Sequence, residues 1–363
     1  MMKILYVITQ LGVGGAEVVL VSMAHKMIEL GHQVEIVSLL NINKQEFKKE
    51  INVHILDLKN HPLKSSIKFG QIIRKFNPDV VHSHCLHANI ITRIYRLFYS
   101  MKKLVTTAHN TYEGQGLVMS IFKHTNFLSD IITNVSRDAV NAFEKNKYIK
   151  LNQMKVMFNV IDINKFKFSA SLREIYRNKF NIGSDELILI AVGSMKDSKD
   201  YPNLLKAIKL LKEKQSHRFR LFIVGDGLLL KDMKSLAFQL KLDEDVFFLG
   251  NRNDVGALLS MADIFILSSK HEGLPTVLVE AAMSQNVIVS TDCGGIDDLL
   301  PTRENIVTTN DPDALANKVF EVMNWEDCKK LEHLNGVYKF ISDNLDPEVV
   351  SRRWLDIYLE SYN

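Results

Sequence analysis

The sequence predicts an α/β protein made of two doubly wound parallel-sheet domains. Three observations carry this. Apolar runs of strand length alternate with segments of helical period, the alternation restarts after about residue 170, and 363 residues divided by the roughly 150 of a common domain give two. The first run, KILYVIT, precedes a helix whose Ala16, Val19, Leu20, Met23, Ala24 and Met27 recur at the spacing of one buried face, with Gly31 as its stop. QVEIVSLL, NVHILDL, DVVHSH, KLVTTAH and DIITNVS follow as strands, with helices ending near Phe76, around Ile90 to Tyr99, and near Val118 to Leu128. After residue 170 the same grammar returns as ELILIAVG, the helix YPNLLKAIKLLKEK, RLFIVGDG, the helix LLLKDMKSLAFQL, then DVFFLG, DIFILSS, PTVLVEAAM and NVIVST. The stretch between loses its alternation and gains polar residues, which places a linker near 159 to 170. The expected domains are residues 1–165, 166–345 and a final helix, 346–363, with Trp354, Ile357 and Tyr358 on one face. Ligands of such sheets sit outside the carboxyl ends of the strands, so a crevice between the domains is the expected site.

Composition narrows the class. With 46% hydrophobic and 24% charged residues, 17 Gly and 7 Pro, the chain is neither disordered nor collagenous. Cys85, Cys293 and Cys328 lie far apart with no ligand-like spacing, which indicates neither a disulfide framework nor structural zinc and fits a reducing cytoplasm. The first strand is too short for a secretory h-region, and no run of about 18 apolar residues exists, so membrane contact is expected to be peripheral. Net charge is +3, yet residues 1–170 hold 22 Lys and Arg against 12 Asp and Glu, whereas the remainder holds 23 against 30. The basic half suits an anionic surface or a phosphate group, with a solvated surface as the alternative.

The densest chemistry lies in SSKHEGLPTVLVEAAMSQNVIVSTDCGG. Pro275 is placed to open a helix at its first position, Glu272 and Gly273 then lie in the preceding loop, and Glu280 projects about 9 Å along the helix at 1.5 Å per residue. An anion fits between the carboxylates on the unpaired N–H groups of the helix start, and carboxylates accept well from pairs of sugar hydroxyls.

These residues resemble the E-x7-E element of the retaining glycosyltransferases of family 4, of GT-B fold. LGVGGAE resembles that family's N-terminal glycine loop, VGSMKDSKDYPNLLKAI its phosphate-contacting loop and helix, and LFIVGDG, FLGNRNDV and DCGGIDDLL its successive donor-domain segments. The resemblance implies transfer of a sugar from a nucleotide sugar, with UDP preferred, to a glycan acceptor. It places Glu280 on the ribose, Glu272 on the transferred sugar, backbone amides near Thr276 and Val277 on the diphosphate, and Lys199 on the leaving group. Gly14 and Gly15 approach the donor, His109 touches its sugar, and Asn251, Arg252, Gly273 and Leu274 complete the contacts. Ser194 stands where the family usually has an arginine; Lys196 or Arg252 is the candidate substitute. The resemblance also implies retention by front-face attack, no cofactor beyond the nucleotide sugar, no catalytic metal and a lipid-linked acceptor.

Competing readings are weaker. An NAD site lacks the third glycine after the first strand and an acid ending the second. In HSHCLH, His82 and His84 share a strand face, His87 lies beyond it and no fourth ligand is evident for zinc. Asp243-Glu244-Asp245 reads as a charged turn, and Asp311-Pro312-Asp313 as a helix cap with Pro at the first position. Nothing indicates nucleic acid. A nucleotide-sugar epimerase or phosphorylase, or a two-lobed binding protein, remains as an alternative. ITRIYRLFYSMKKL, with Arg93, Arg96, Lys102 and Lys103 beside aromatic residues, is the candidate contact with an anionic membrane.

Overall fold

The computed structural model describes residues 1–12, 14–111, 114, 116–214 and 218–360. Val13 of the glycine loop and the last three residues of the C-terminal segment thus lie outside the described residues. Two compact units form, one from residues 1–161 with the chain from 344 onward, the other from residues 162–343.

The first unit holds β1 (Lys3–Ile8), α1 (Gly15–Glu29), β2 (Gln33–Ser38), β3 (Asn52–Ile55), α2 (Pro62–Phe76), β4 (Val80–His84), α3 (Leu86–Arg96), β5 (Leu104–Ala108), α4 (Gly116–Thr125), β6 (Ile131–Asn134), α5 (Arg137–Lys145) and β7 (Met154–Val156). Its sheet is parallel throughout, in the order β3-β2-β1-β4-β5-β6-β7. Side chains alternate across a strand, so Ile4, Tyr6 and Ile8 enter one apolar layer and Leu5 and Val7 the other. Both faces are covered, which is why these strands read as continuous apolar runs.

The second unit holds α6 (Ala170–Lys179), β8 (Leu187–Val192), α7 (Tyr201–Lys214), β9 (Phe219–Val224), α8 (Leu230–Gln239), β10 (Val246–Gly250), α9 (Val255–Met261), β11 (Ile264–Leu267), α10 (Val277–Met283), β12 (Val287–Thr291), β13 (Ile306–Val307) and α11 (Pro312–Met323). Its strand order is β10-β9-β8-β11-β12-β13. The stretch read as a linker is packed from residue 162 on: Phe168 N–H donates to Met283 O at 3.0 Å and Ser284 Oγ to Phe166 O at 2.8 Å. The long helix α12 (Asp327–Leu345) leads out of this unit, and α13 (Pro347–Leu359) belongs to the first.

Helix α13 lays Trp354 and Tyr358 into the core beside Tyr6 and Met23. Trp354 Nε1 donates to Phe158 O at 3.0 Å, and Lys103 Nζ caps the last turn by donating to the carbonyls of Ile357 at 2.7 Å and Tyr358 at 3.1 Å. A lysine there meets the negative end of the helix and its orphan carbonyls.

The four basic residues of ITRIYRLFYSMKKL do not form a free cluster, since each has a partner within the first unit. Arg93 is fully buried, donating to Ser129 Oγ at 2.7 Å, Phe122 O at 3.1 Å, Asn126 Oδ1 at 2.9 Å and Thr106 Oγ1 at 2.9 Å, with Phe122's ring 4.3 Å away. Arg96 pairs with Asp130 at 2.7 Å, and Lys102 with Asp79 at 2.7 Å. The helix also runs earlier than its periodicity predicts, Leu86 to Arg96, and its buried face joins Leu86, Ala88 and Ile90 with the polar Asn89, Thr92 and Arg93. Arg93→Met and Lys103→Met are each expected to lower unfolding free energy by about 1–3 kcal/mol per the loss of charged hydrogen bonds, while Lys102→Met changes it by less than about 1 kcal/mol. Denaturant titration of the three variants checks this.

Candidate functional site

In the second unit the strand order reverses between β8 and β11, the place where doubly wound sheets leave a crevice beyond their strand ends. After β8 the chain turns through a short 3-10 helix, Asp197–Lys199, and after β11 through the loop carrying Glu272. Across that reversal Lys199 Nζ lies 2.7 Å from Glu272 Oε1, both side chains largely buried. Ser269 Oγ donates to the same carboxylate oxygen at 2.7 Å, and Glu272 N–H donates to Cys293 O at 2.7 Å. Ser268 Oγ bonds Lys199 O at 2.9 Å and Lys270 N–H bonds Ser198 O at 2.8 Å, tying the two loops together.

Two glycines permit this closeness. Gly225 has φ +138°, and a Cβ there would stand 2.0 Å from Gly193 O; one at Gly295, φ +68°, would stand 2.5 Å from Gly273 O. Both positions therefore need a residue without Cβ, and the loops after β8, β9, β11 and β12 approach backbone to backbone. Tyr201 OH adds a bond to Gly193 O at 2.8 Å.

Helix α10 begins at Val277 with Thr276 as its N-cap, so Pro275 precedes the helix instead of opening it. The cause is local: Leu278 N–H bonds Pro275 O and Val279 N–H bonds Thr276 O, both at 2.9 Å, a tight i to i+3 turn ahead of the helix proper. Glu280 is consequently in the first turn, about 4.5 Å along the axis from Val277, and not a turn and a half inside. Its half-buried carboxyl is pushed up to about 7 by desolvation, against the opposing fields of Lys165 and Lys199. Lys165 comes from the stretch read as linker, and no local pattern marked it. Gly273 and Leu274 are buried, whereas Thr276 and Val277 are half-buried.

Ser194, Lys196 and Asn251 are exposed. Arg252 is taken up by Asp254, Nε at 2.8 Å and Nη2 at 2.5 Å, and Tyr176 OH donates to the same carboxylate at 2.6 Å. The guanidinium chiefly holds Asp254 down at about 2. Arg252 thus carries its own counter-ion in Asp254. Asp311 caps α11, accepting from Ala314 N–H at 2.9 Å, and Asp245 pairs with Lys212 at 2.6 Å, which accounts for both acidic D-x-D sequences structurally.

In the first unit Gly14 caps α1, and Glu17 folds its carboxylate back over it; a Cβ at Gly14 would stand 2.4 Å from Glu17 Oε2. Gly15 is exposed, with open space where its side chain would be. His109 directly follows β5 and is 8% exposed, with Nε2 3.0 Å from His84 Nδ1. His82 bonds Tyr358 OH through Nδ1 at 2.7 Å and Thr107 Oγ1 through Nε2 at 2.6 Å. His87 is exposed on α3. Burial holds His109 down at about 4 and His82 and His84 well below the ordinary histidine value. Among the described residues no three His, Cys, Asp or Glu side chains gather as a metal site.

Two doubly wound parallel-sheet units of seven and six strands, with the ends of one sheet lined by paired cation and carboxylate, define the GT-B class of glycosyltransferase fold. A family model described as Glycosyltransferase Family 4 matches residues 13–165, another described as Glycosyl transferases group 1 matches residues 173–335, and the chain belongs to this glycosyltransferase family. N-acetyl-alpha-D-glucosaminyl L-malate synthase of Bacillus anthracis is 23% identical over 88% of this chain and 87% of its own. The Campylobacter jejuni GalNAc-alpha-(1->4)-GalNAc-alpha-(1->3)-diNAcBac-PP-undecaprenol alpha-1,4-N-acetyl-D-galactosaminyltransferase is 24% identical over 100% of both chains. Among solved structures, Anabaena HepE in complex with UDP and glucose superposes with a TM-score of 0.84 at 19% identity, covering 98% of this chain and 99% of that one.

The raised Glu280 value has a thermodynamic consequence. The folded carboxyl, near 7, binds a proton more tightly than the unfolded one, near 4.5, so stability is greatest below 4.5 with respect to this group and falls as pH rises to 7. Glu280→Gln removes that dependence. It is expected to stabilise the protein increasingly between pH 4.5 and 7, by no more than about 3 kcal/mol above 7, as read by denaturant melts across that range.

Proposed function

We propose that the protein is a retaining glycosyltransferase that moves a hexose or N-acetylhexosamine from a UDP-sugar to a lipid-linked glycan acceptor, with no metal ion in the chemical step. The observation that carries the donor assignment is the Lys199–Glu272 pair at the strand reversal, whose loop leads into the first turn of α10 with Glu280. Glu280 accepts from the ribose hydroxyls, Glu272 from hydroxyls of the transferred sugar, and amides at Thr276 and Val277 meet the diphosphate. Lys199 offsets the charge that develops on the leaving phosphate as the glycosidic bond breaks. The family resemblance assigns Gly14, Gly15 and His109 to the donor sugar as well. In front-face attack the acceptor hydroxyl gives its proton to a departing phosphate oxygen while its own oxygen bonds the anomeric carbon. Support for UDP comes from the ligand named in the Anabaena complex, and support for a lipid-linked acceptor from the undecaprenol named in the Campylobacter enzyme.

Glu280→Gln is expected to weaken UDP binding by about 1–2 kcal/mol in calorimetry at pH 8. Glu272→Ala, in the same assay, changes UDP binding little and lowers transfer strongly. Turnover persists in EDTA. Conversion of the nucleotide sugar at full rate without acceptor would instead assign an epimerase.

The protein works at a membrane face through apolar side chains of the first unit. Leu97 and Phe98, at the end of α3, are 62% and 73% exposed, and Phe127 is 78% exposed. Arg96 Nη1 bonds Leu128 O at 2.9 Å and brings the two segments together. No helix among the described residues is long and apolar enough to cross a membrane. Co-sedimentation with anionic vesicles is expected for the wild type and lost in Leu97→Ser/Phe98→Ser, and equal binding of both proteins would refute this contact.

A further inference from the structure

The pairing of His84 with His109 goes beyond the donor contacts, though its bearing on turnover rests on the reading of His109 above. His84 is completely buried on β4, its Nδ1 is 3.0 Å from His109 Nε2, and the two rings stack with centroids 5.2 Å apart. His82 lies against His84, at 4.1 Å between centroids, and both nitrogens of His82 are already bonded, to Tyr358 OH and Thr107 Oγ1. His84 Nε2, by contrast, is buried with no hydrogen-bond partner among the described residues.

That orphaned nitrogen settles where the protons sit. A neutral imidazole has one N–H and one lone pair. Buried donors without a partner are rarer and costlier than under-used acceptors, so the lone pair of His84 is at Nε2 and its proton at Nδ1. His84 Nδ1–H then donates to His109 Nε2, and the proton of His109 must be on Nδ1, because the bond made by one ring nitrogen fixes the state of the other. The low values of all three histidines keep each ring neutral at pH 7.

We propose that His84 is a positioning residue that locks His109 in its Nδ1-protonated form and fixes the plane of its ring. The lock makes His109 Nδ1 a hydrogen-bond donor and leaves it no lone pair. His82, held by Tyr358 of α13 and by Thr107, serves as the wall that keeps His84 in plane.

The test has two arms. Long-range 15N–1H correlation on protein labelled at its 12 histidines, with His109 assigned by its loss in His109→Ala, is expected to show protonated Nδ1 and bare Nε2 in the wild type. The reverse pattern overturns the proposal. In the kinetic arm His84→Leu is expected to lower kcat about tenfold or more, as one positioned hydrogen bond allows, with donor KM nearly unchanged. His84→Asn, whose amide nitrogen takes the place of Nδ1, restores most of it. Wild-type kcat in His84→Leu, or no recovery in His84→Asn, overturns the proposal. Should His84→Leu fail to fold, the tautomer measurement and His84→Asn still decide. Unchanged kcat in His109→Ala overturns the reading of His109 and the turnover role of His84 together. A loss in His109→Ala beside wild-type turnover in His84→Leu overturns the role of His84 alone.

Discussion

A Cβ atom at Gly225 would occupy the space of the Gly193 carbonyl, and most of the C-terminal unit's chemistry depends on that missing atom. Because the backbones after β8 and β9 touch, the loop from Gly193 to Lys199 lies flat over the strand ends. Because Gly295 makes the same allowance for Gly273, the Glu272 loop is pressed in from the other side. The strand order reverses between these loops, so two residues 73 positions apart meet as an ion pair. An ammonium has three donors and a carboxylate about four lone-pair sites, so the contact leaves each group with unused hydrogen-bonding capacity. Each therefore stays neutralised in the empty protein, where an unpaired buried charge would be costly.

Much of this arrangement is legible in the sequence, and what is not has a common cause. Alternating apolar runs give every long strand, since a parallel strand buried on both faces has a local signature. Short or terminal elements such as β7, β13 and α9 lack one. Asp311 with Pro312 announces α11 because a cap is a contact between neighbours in sequence. Pro275 misleads for a related reason: the rule for a first-turn proline is local and correct in general, but a tight turn borrows its carbonyl before the helix begins. The basic segment of α3 misleads more deeply. Arg93, read along the chain, is one cation among four; in space it is a buried hub joining α3, α4 and β5. Polar partners far apart in sequence, such as Lys165 with Glu280 or His84 with His109, leave no periodic trace. They emerge only when the sheet sets neighbouring strand ends side by side.

The two units place their polar groups by opposite means. In the C-terminal unit, close-packed glycine backbones bring an ion pair together, and burial raises the nearby Glu280 carboxyl to about 7, so its ionisation costs the folded state stability. In the N-terminal unit a chain of neutral bonds runs from Tyr6 and Tyr358 through His82 to Thr107 and Thr133, and no formal charge takes part. Such a network is insensitive to salt and rigid as long as every member is satisfied.

That chain of bonds sets Tyr358 of α13 against Tyr6 of β1, and this joins two segments more than 350 residues apart in one core. During synthesis the N-terminal sheet emerges first yet keeps an apolar face uncovered until α13 has left the ribosome. The C-terminal unit, encoded between them and continuous in sequence, has everything it needs earlier. Order of emergence and order of completion are thus inverted between the two units: the one begun earlier is finished later, and its exposed layer must be kept from aggregating while nearly two hundred residues are added.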